Sequence, residues 1–216
     1  MIGIFLFNCF AQLILTFGHD LDKGPTKGIR NVLQWFFVKL TTFLKYKVAG
    51  LSVTRKDIDM DYTEYLGPDY KSKYRQIKAT STVVCNHVSW LDGHVLYSRF
   101  KFGITADRGF KETILGKALY ALDGLFMPRA KSEKDKELAL KQITDRQERI
   151  ERVGDYKPLM IFAEGTTSNG THLGPFKRGA FEGEKRVRPV YLKYSFGGYS
   201  TDYALFDMDC LVIFDS

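Results

Sequence analysis

From Thr82 onward the sequence alternates between short apolar runs and longer charged stretches, a rhythm that few architectures satisfy. Residues 82–85, 103–106, 125–127, 159–163 and 187–194 read as strands, and 111–121 and 133–153 between them read as helices. Such alternation predicts an α/β domain with a mostly parallel sheet flanked by helices. In open sheets of that class, sites gather beyond the carboxyl ends of the strands. His87 and Glu164 each stand just past such an end.

The first run, Val83-Val84-Cys85, stops at Asn86-His87, and Asp92 follows the histidine by five residues. On a continuous α-helix five residues turn through about 500°, leaving the two side chains roughly 140° apart and unable to pair. If the strand ends at Cys85, a turn spans 86–89 and a helix begins near Asp92, the carboxylate swings back to the imidazole. A carboxylate on one ring nitrogen fixes the tautomer, and the other nitrogen can then take a proton from a hydroxyl. The simpler reading of the same residues is an N-capping aspartate beside a surface histidine. Ser89 lacks the Gly-x-Ser-x-Gly elbow of a nucleophile and suits loop hydrogen bonding better.

A chain of 216 residues suits one domain with a real core. Its 44% hydrophobic content excludes disorder, and its 26% charged content excludes a wholly intramembrane protein. Lys and Arg outnumber Asp and Glu by 32 to 25, a net charge of +7 that favours anionic partners such as phospholipid surfaces or coenzyme A phosphates. No zinc-finger spacing, RNA-binding signature or basic arm is present, so no nucleic acid partner is expected. Cys9, Cys85 and Cys210 are scattered and odd in number, which gives no disulfide framework. His87 and His94 are seven apart, not the i,i+4 spacing of a helical metal pair, and no metal site is read. Nothing in the sequence speaks to oligomeric state.

Residues 1–17 are apolar apart from Asn8, Gln12 and Thr16, but short against the roughly 20 residues that a membrane span requires. Gly18, Gly24, Pro25 and Gly28 break the run, and residues 32–44 then bring Trp35, Phe36, Phe37 and Phe43 around Lys39, with Lys45 and Lys47 beyond. Aromatic rings with flanking lysines suit a membrane interface, where lysine stems snorkel. A helix pair packed on the core is the alternative. Residues 57–78 are polar and tyrosine-rich and read as surface connection. The chain therefore divides into amino-terminal helices (1–50), a connecting segment (51–80) and the α/β domain (81–216).

Asn86-His87-Val88-Ser89-Trp90-Leu91-Asp92 resembles the first signature block of the glycerolipid acyltransferases, the family of lysophospholipid and 1-acylglycerol-3-phosphate acyltransferases. Three further blocks follow in order, so the resemblance covers roughly 81–194. It implies His87 as general base oriented by Asp92, with Asn86 among the substrate-binding residues. Leu125-Phe126-Met127-Pro128-Arg129 resembles the second block, in which Arg129 would contact acceptor phosphate; Arg108, Lys111 and Lys117 lie near it in sequence and could share the task. Glu164-Gly165-Thr166 resembles the third block and would help bind the acceptor. Phosphatidate-forming enzymes usually carry Arg next, and Thr167 here resembles the lysophospholipid branch instead. Lys177 and Arg178 follow at the family's spacing and would grip coenzyme A or lipid phosphate. Pro189 opens the fourth block and would shape the acyl pocket wall.

The family implies an acyl-CoA-dependent O-acyltransferase acting on a lysophospholipid, with acyl-CoA as co-substrate, no cofactor, a membrane-anchoring amino-terminal helix pair and an endoplasmic reticulum location. Three other readings stay open: a glycerol-3-phosphate or 1-acylglycerol-3-phosphate acyltransferase, a CoA-independent transacylase, and a non-catalytic membrane-binding module. The apolar run 211–214 lies at the end of the chain, where family members commonly continue, which leaves open a domain incomplete beyond Ser216.

Overall fold

The structure, a computed structural model, describes residues 2–49, 52–58, 60–74, 80–89, 91–129, 131–196 and 208–215. Trp90 of the histidine block, residues 75–79 of the connecting segment and Ser216 lie outside the described residues. Helices α1 (Ile2–Thr16) and α2 (Gly28–Ala49) come first, then strand β1 (Ser52–Ile58) and the short helices α3 (Thr63–Leu66) and α4 (Tyr70–Tyr74). The body continues as β2 (Thr82–Cys85), α5 (Asp92–Arg99), β3 (Gly103–Asp107), α6 (Ile114–Ala121), β4 (Leu125–Met127), α7 (Glu133–Val153), β5 (Leu159–Phe162), β6 (Val187–Phe196) and β7 (Met208–Asp215).

These strands form one seven-stranded sheet in the order β1-β7-β6-β2-β5-β3-β4. Only the β6–β7 pair is antiparallel; the other neighbours run parallel, as the alternation of runs predicts. The central strands β2 and β5 are almost wholly apolar because both of their faces are covered. On one face Val83 and Cys85 of β2, Met160 of β5 and Leu192 of β6 pack with Val95 and Leu96 of α5 and Trp35 of α2. On the other, Val84, Leu159 and Ile161 meet Ile143 and Ile150 of α7. Helix α7 has both ends specified: a reciprocal capping box between Ser132 and Asp135, and Gly154 in the left-handed conformation after the last turn.

Two differences from the sequence reading have physical causes. Residues 52–58, assigned to connecting chain, form an edge strand paired with β7 along its whole length. Its Arg55-Lys56-Asp57 stretch reads as loop because an edge strand exposed to solvent needs no apolar alternation. Helix α6 starts three residues later than expected, because a 3-10 turn at Arg108–Phe110 precedes it and the Thr113 hydroxyl caps it by accepting from Gly116 N at 2.9 Å. The terminal run 211–214 is part of β7 and has a neighbour on each side, β6 and β1.

The amino-terminal helices are packed onto the body. Trp35 and Val38 of α2 belong to the core, and α1 lies against both α2 and α6. Buried amides tie the layers together: Gln12 Nε2 donates to Gln34 O at 3.2 Å, and Gln34 Nε2 donates to Ala121 O at 2.9 Å. Among the described residues, no helix is long and apolar enough to cross a membrane.

Candidate active site

The site lies at the carboxyl ends of the parallel strands. β2 delivers His87, β3 ends in Asp107, β4 runs into Arg129 and β5 delivers Glu164. Between β2 and α5 the chain wraps around one carboxylate. Asp92 Oδ2 accepts from His87 Nδ1 at 2.7 Å, from Val88 N at 2.7 Å and from Ser89 N at 2.9 Å, while Oδ1 accepts from Tyr194 OH at 2.6 Å. Asp92 is fully buried, so this set of four donors replaces the water it has lost. The aspartate is the first residue of α5, as the turn requires. With Nδ1 engaged, Nε2 is the ring nitrogen open to substrate, and no described residue bonds it. The imidazole stacks on Phe162 with ring centroids 4.2 Å apart, which fixes its plane.

The loop after β5 holds the backbone of His87 on both sides. Glu164 Oε1 accepts from His87 N at 3.0 Å, and Ser168 N donates to His87 O at 2.8 Å. Glu164 Oε2 accepts from Gly174 N at 3.1 Å, so this buried carboxylate clamps two loops. Asn86 is engaged in the same manner. Its Nδ2 donates to Leu192 O at 2.9 Å and its Oδ1 accepts from Leu192 N at 2.7 Å, which extends the β2–β6 ladder beyond Cys85. The sequence reading gave both residues to substrate; their polar atoms serve the backbone that positions His87.

Two cavities meet at His87. An apolar one of about 700 Å³ lies among α1, α2, α5, β3 and α6, with Phe5, Tyr97, Ile104, Leu115 and Leu119 in its wall. A more polar one of about 430 Å³ is lined by Arg129, Gly165 and Lys177. His87, Thr105, Ala106, Asp107 and Phe162 belong to both. Arg129 Nε stands 3.6 Å from Asp107 Oδ2, so one of the two cations is partly balanced. The Lys177 side chain lies across Gly165, where a Cβ would stand 2.4 Å from Nζ, and Gly165 adopts φ 69°. The positive φ favours glycine there, while the flexible lysine end could give way to a Cβ.

Other expected site residues stand apart. Thr166 is exposed and lines neither cavity; Arg178 is exposed and faces Glu182 at 4.0 Å. Pro189 is exposed on β6, paired with Val84, and lines neither cavity; the wall of the apolar cavity comes from helices, β3 and Phe162 instead. Lys45 was read as an interface lysine, yet it is buried in the apolar cavity wall with Nζ 3.3 Å from His94 Nε2. Burial lowers its pKa to about 8. Burial and then the Lys45 charge lower that of His94 to about 3. Tyr194 and Phe162 are the supporting residues that the sequence reading did not single out; alternation along their strands marks them as inward-facing and nothing more.

Comparison with known proteins gives the family and the fold. The Acyltransferase family model matches residues 68–191, more than half of the chain, and the chain belongs to that family. It is 26% identical over 195 residues to a lysophosphatidylcholine acyltransferase of Drosophila melanogaster, covering 90% of this chain and 33% of that protein. It is 31% identical over 121 residues to the lysophospholipid acyltransferase LPEAT1 of Arabidopsis thaliana, covering 55% of this chain and 30% of that protein. The mouse glycerol-3-phosphate acyltransferase 4 is 28% identical over 127 residues, covering 58% and 27%. The chain thus spans about a third of the length of the curated relatives it matches. The crystal structure of the 1-acyl-sn-glycerophosphate acyltransferase PlsC from Thermotoga maritima superposes with a TM-score of 0.58 at 12% identity, covering 96% of this chain and 75% of that one, a likeness of fold.

Proposed function

We propose that the chain transfers a fatty acyl group from a coenzyme A thioester to the free hydroxyl of a lysophospholipid, with His87 as general base. The observation that carries the proposal is the meeting of an apolar and a cationic cavity at one imidazole whose Nδ1 is already bonded to a buried carboxylate. The acyl chain occupies the apolar cavity. The acceptor phosphate lies near Arg129 and Lys177, its hydroxyl at Nε2. As the hydroxyl oxygen attacks the thioester carbonyl, Nε2 takes its proton and Asp92 balances the imidazolium. The tetrahedral intermediate then expels coenzyme A thiolate, which takes that proton from Nε2 to leave as the thiol. A thioester is already activated, so no covalent enzyme intermediate is needed, and base catalysis supplies about 10²–10⁴-fold.

Arg129, Lys177 and Asp107 leave the polar cavity with one net positive charge, which suits the single negative charge of a phosphodiester better than a phosphomonoester. That balance, with Thr167 in place of arginine, favours a lysophospholipid over lysophosphatidate or glycerol phosphate. We assign the protein to a membrane surface. Phe7, Phe10 and Ile14 form an exposed stripe on α1 that continues to Phe17 just beyond it, and Ile29, Val32, Phe36 and Phe43 form one on α2. Ile2 of α1 also lines the apolar cavity, which brings that stripe to its wall. The endoplasmic reticulum is the membrane we assign, on the family likeness alone.

The test follows coenzyme A thiol release from oleoyl-CoA with lysophosphatidylcholine, lysophosphatidylethanolamine, lysophosphatidate or no acceptor. Acceptor-dependent release that His87→Ala lowers at least 10²-fold while the fold is retained is the expected result. Equal release without acceptor would make the protein a thioesterase, and release from His87→Ala at the wild-type rate would remove the base.

A further inference from the structure

A third cavity, of about 480 Å³, lies behind the polar one, between α6, β4 and α7. Asp107, Met127 and Ile143 line the cavity at His87, and their chain neighbours Arg108, Phe126 and Gln142 line this one. On three elements the two spaces are therefore separated by a single residue step, about 3.8 Å between Cα atoms. The mechanism above uses none of its side chains.

Three cations converge there, Arg108, Lys111 and Arg146, against one acid, Glu112, whose carboxylate faces Lys117 at 3.6 Å. Arg146 is held in place, its guanidinium 3.8 Å over the Tyr156 ring and Nη1 donating to Asp123 O at 3.2 Å. A guanidinium has five donors, so most of them remain for a ligand. Tyr120 and Phe126, edge to face at 6.0 Å, make an apolar floor, with Lys111 Nζ 4.4 Å over the tyrosine. Gln142 Oε1 is enclosed and has no hydrogen-bond donor among the described residues, although its side chain lines the cavity. An enclosed acceptor without a donor is unfavourable, and a rotation of the side chain that turned this oxygen into the cavity would let a ligand amine satisfy it.

We propose that this cavity binds the phosphorylated adenosine end of the thioester donor, a reading that rests on coenzyme A as the acyl carrier. Three cations match a nucleotide carrying a diphosphate and a ribose phosphate, and planar forks are suited to phosphate oxygens. The aromatic floor takes the base. A glutamine amide pairs with the amino group and ring nitrogen of adenine, which accounts for the orphaned Gln142 oxygen. The flexible pantetheine arm then passes over the residue step to bring the thioester to His87.

The experiment titrates adenosine 3′,5′-bisphosphate into the whole chain by calorimetry, with no turnover involved. Arg108→Ala combined with Lys111→Ala is expected to weaken binding at least 10-fold. The same pair raises KM for oleoyl-CoA by a similar factor with kcat unchanged, and leaves transfer from oleoyl-pantetheine, which lacks the nucleotide, as it was. Gln142→Leu, which removes the orphaned oxygen, is expected to lose the preference for adenosine over guanosine bisphosphate. Wild type that fails to bind the bisphosphate overturns the proposal, as does an equal KM change with oleoyl-pantetheine. So does a double variant that keeps nucleotide binding and loses adsorption to phosphoinositide-containing vesicles, which would make the cavity a headgroup site. If His87→Ala left transfer intact, the base assignment would fall while the titration still decided the nucleotide site.

Discussion

Asp92 gathers four donors from two parts of the chain, the turn at 87–89 and Tyr194 of β6, and only one of them is the imidazole. Replacing it with asparagine would set an amide nitrogen against donors that need an acceptor. Such a variant loses structure along with activity, since each buried donor left unmatched costs about 1–3 kcal/mol. Tyr194→Phe is the cleaner probe. It removes the Tyr194 donor to Oδ1 and leaves the three contacts of Oδ2 in place. We expect kcat for acyl transfer to fall about 10-fold, the equivalent of one buried hydrogen bond, with KM nearly unchanged and unfolding free energy lowered by about 1–3 kcal/mol. Steady-state kinetics on the purified variant decide it, and an unchanged kcat would mean that Val88 and Ser89 suffice to orient the carboxylate. Asn86 and Glu164 show the opposite case. Their residue types suggest substrate contacts, and only the fold reveals that the backbone uses them first.

Each amino-terminal helix has two apolar sides. Helix α2 buries Trp35 and Val38 in the core while Phe36 and Phe43 face outward, and Lys47 reaches over the Phe43 ring at 5.7 Å. Both alternatives open at the sequence level, core packing and an interface role, therefore find residues to support them. A helix apolar on opposite sides is unusual unless something covers the outer one. Phe10→Glu with Ile14→Glu changes only exposed positions of α1 and is expected to leave thermal unfolding within a few degrees. The same pair is expected to weaken sedimentation with phosphatidylcholine vesicles by about 10²-fold or more, from roughly 1.5–3 kcal/mol of lost burial at each site. Unaltered vesicle binding would assign the outer stripe to another partner.

At the scale of the whole molecule Lys45 is a buried cation, enclosed between α2, α1 and α5. Its pKa in the folded protein is lowered from 10.5 to about 8 by burial, with the Cys9 thiol opposing weakly, so between those values the unfolded chain binds more protons. Stability from this group consequently rises with pH through that window and is lost as pH falls through about 8. Lys45→Met removes the burden. We expect it to raise unfolding free energy by as much as about 3 kcal/mol near pH 7 and to flatten the rise between pH 8 and 10.5. Urea unfolding of both proteins across that range measures it, and parallel curves would refute the burial argument. The cavity that Lys45 lines is the one assigned to the acyl chain, so the same variant reads out whether that amine influences the choice of chain.

What the sequence alone determined is local. Strand runs announce themselves as short segments rich in apolar residues, so β2 and β4 match their expected bounds and β3, β5 and β6 differ only at one end. The His87-to-Asp92 turn spans few enough residues that helical period and turn geometry allow the pairing, although an N-capping aspartate beside a surface histidine fits the same residues. The family blocks are likewise contiguous and could be read as they stand. What tertiary structure decided lies across large separations. Tyr194 is 102 residues from Asp92, and Glu164 is 77 residues from the backbone N–H of His87 that it receives. Those contacts depend on strand order and register, which no local period encodes. Edge strand β1 was hidden for the converse reason: with solvent on its exposed side chains, burial leaves no pattern in it to read. The three cavities are spaces between elements, and a space acquires its lining only when the elements around it have packed.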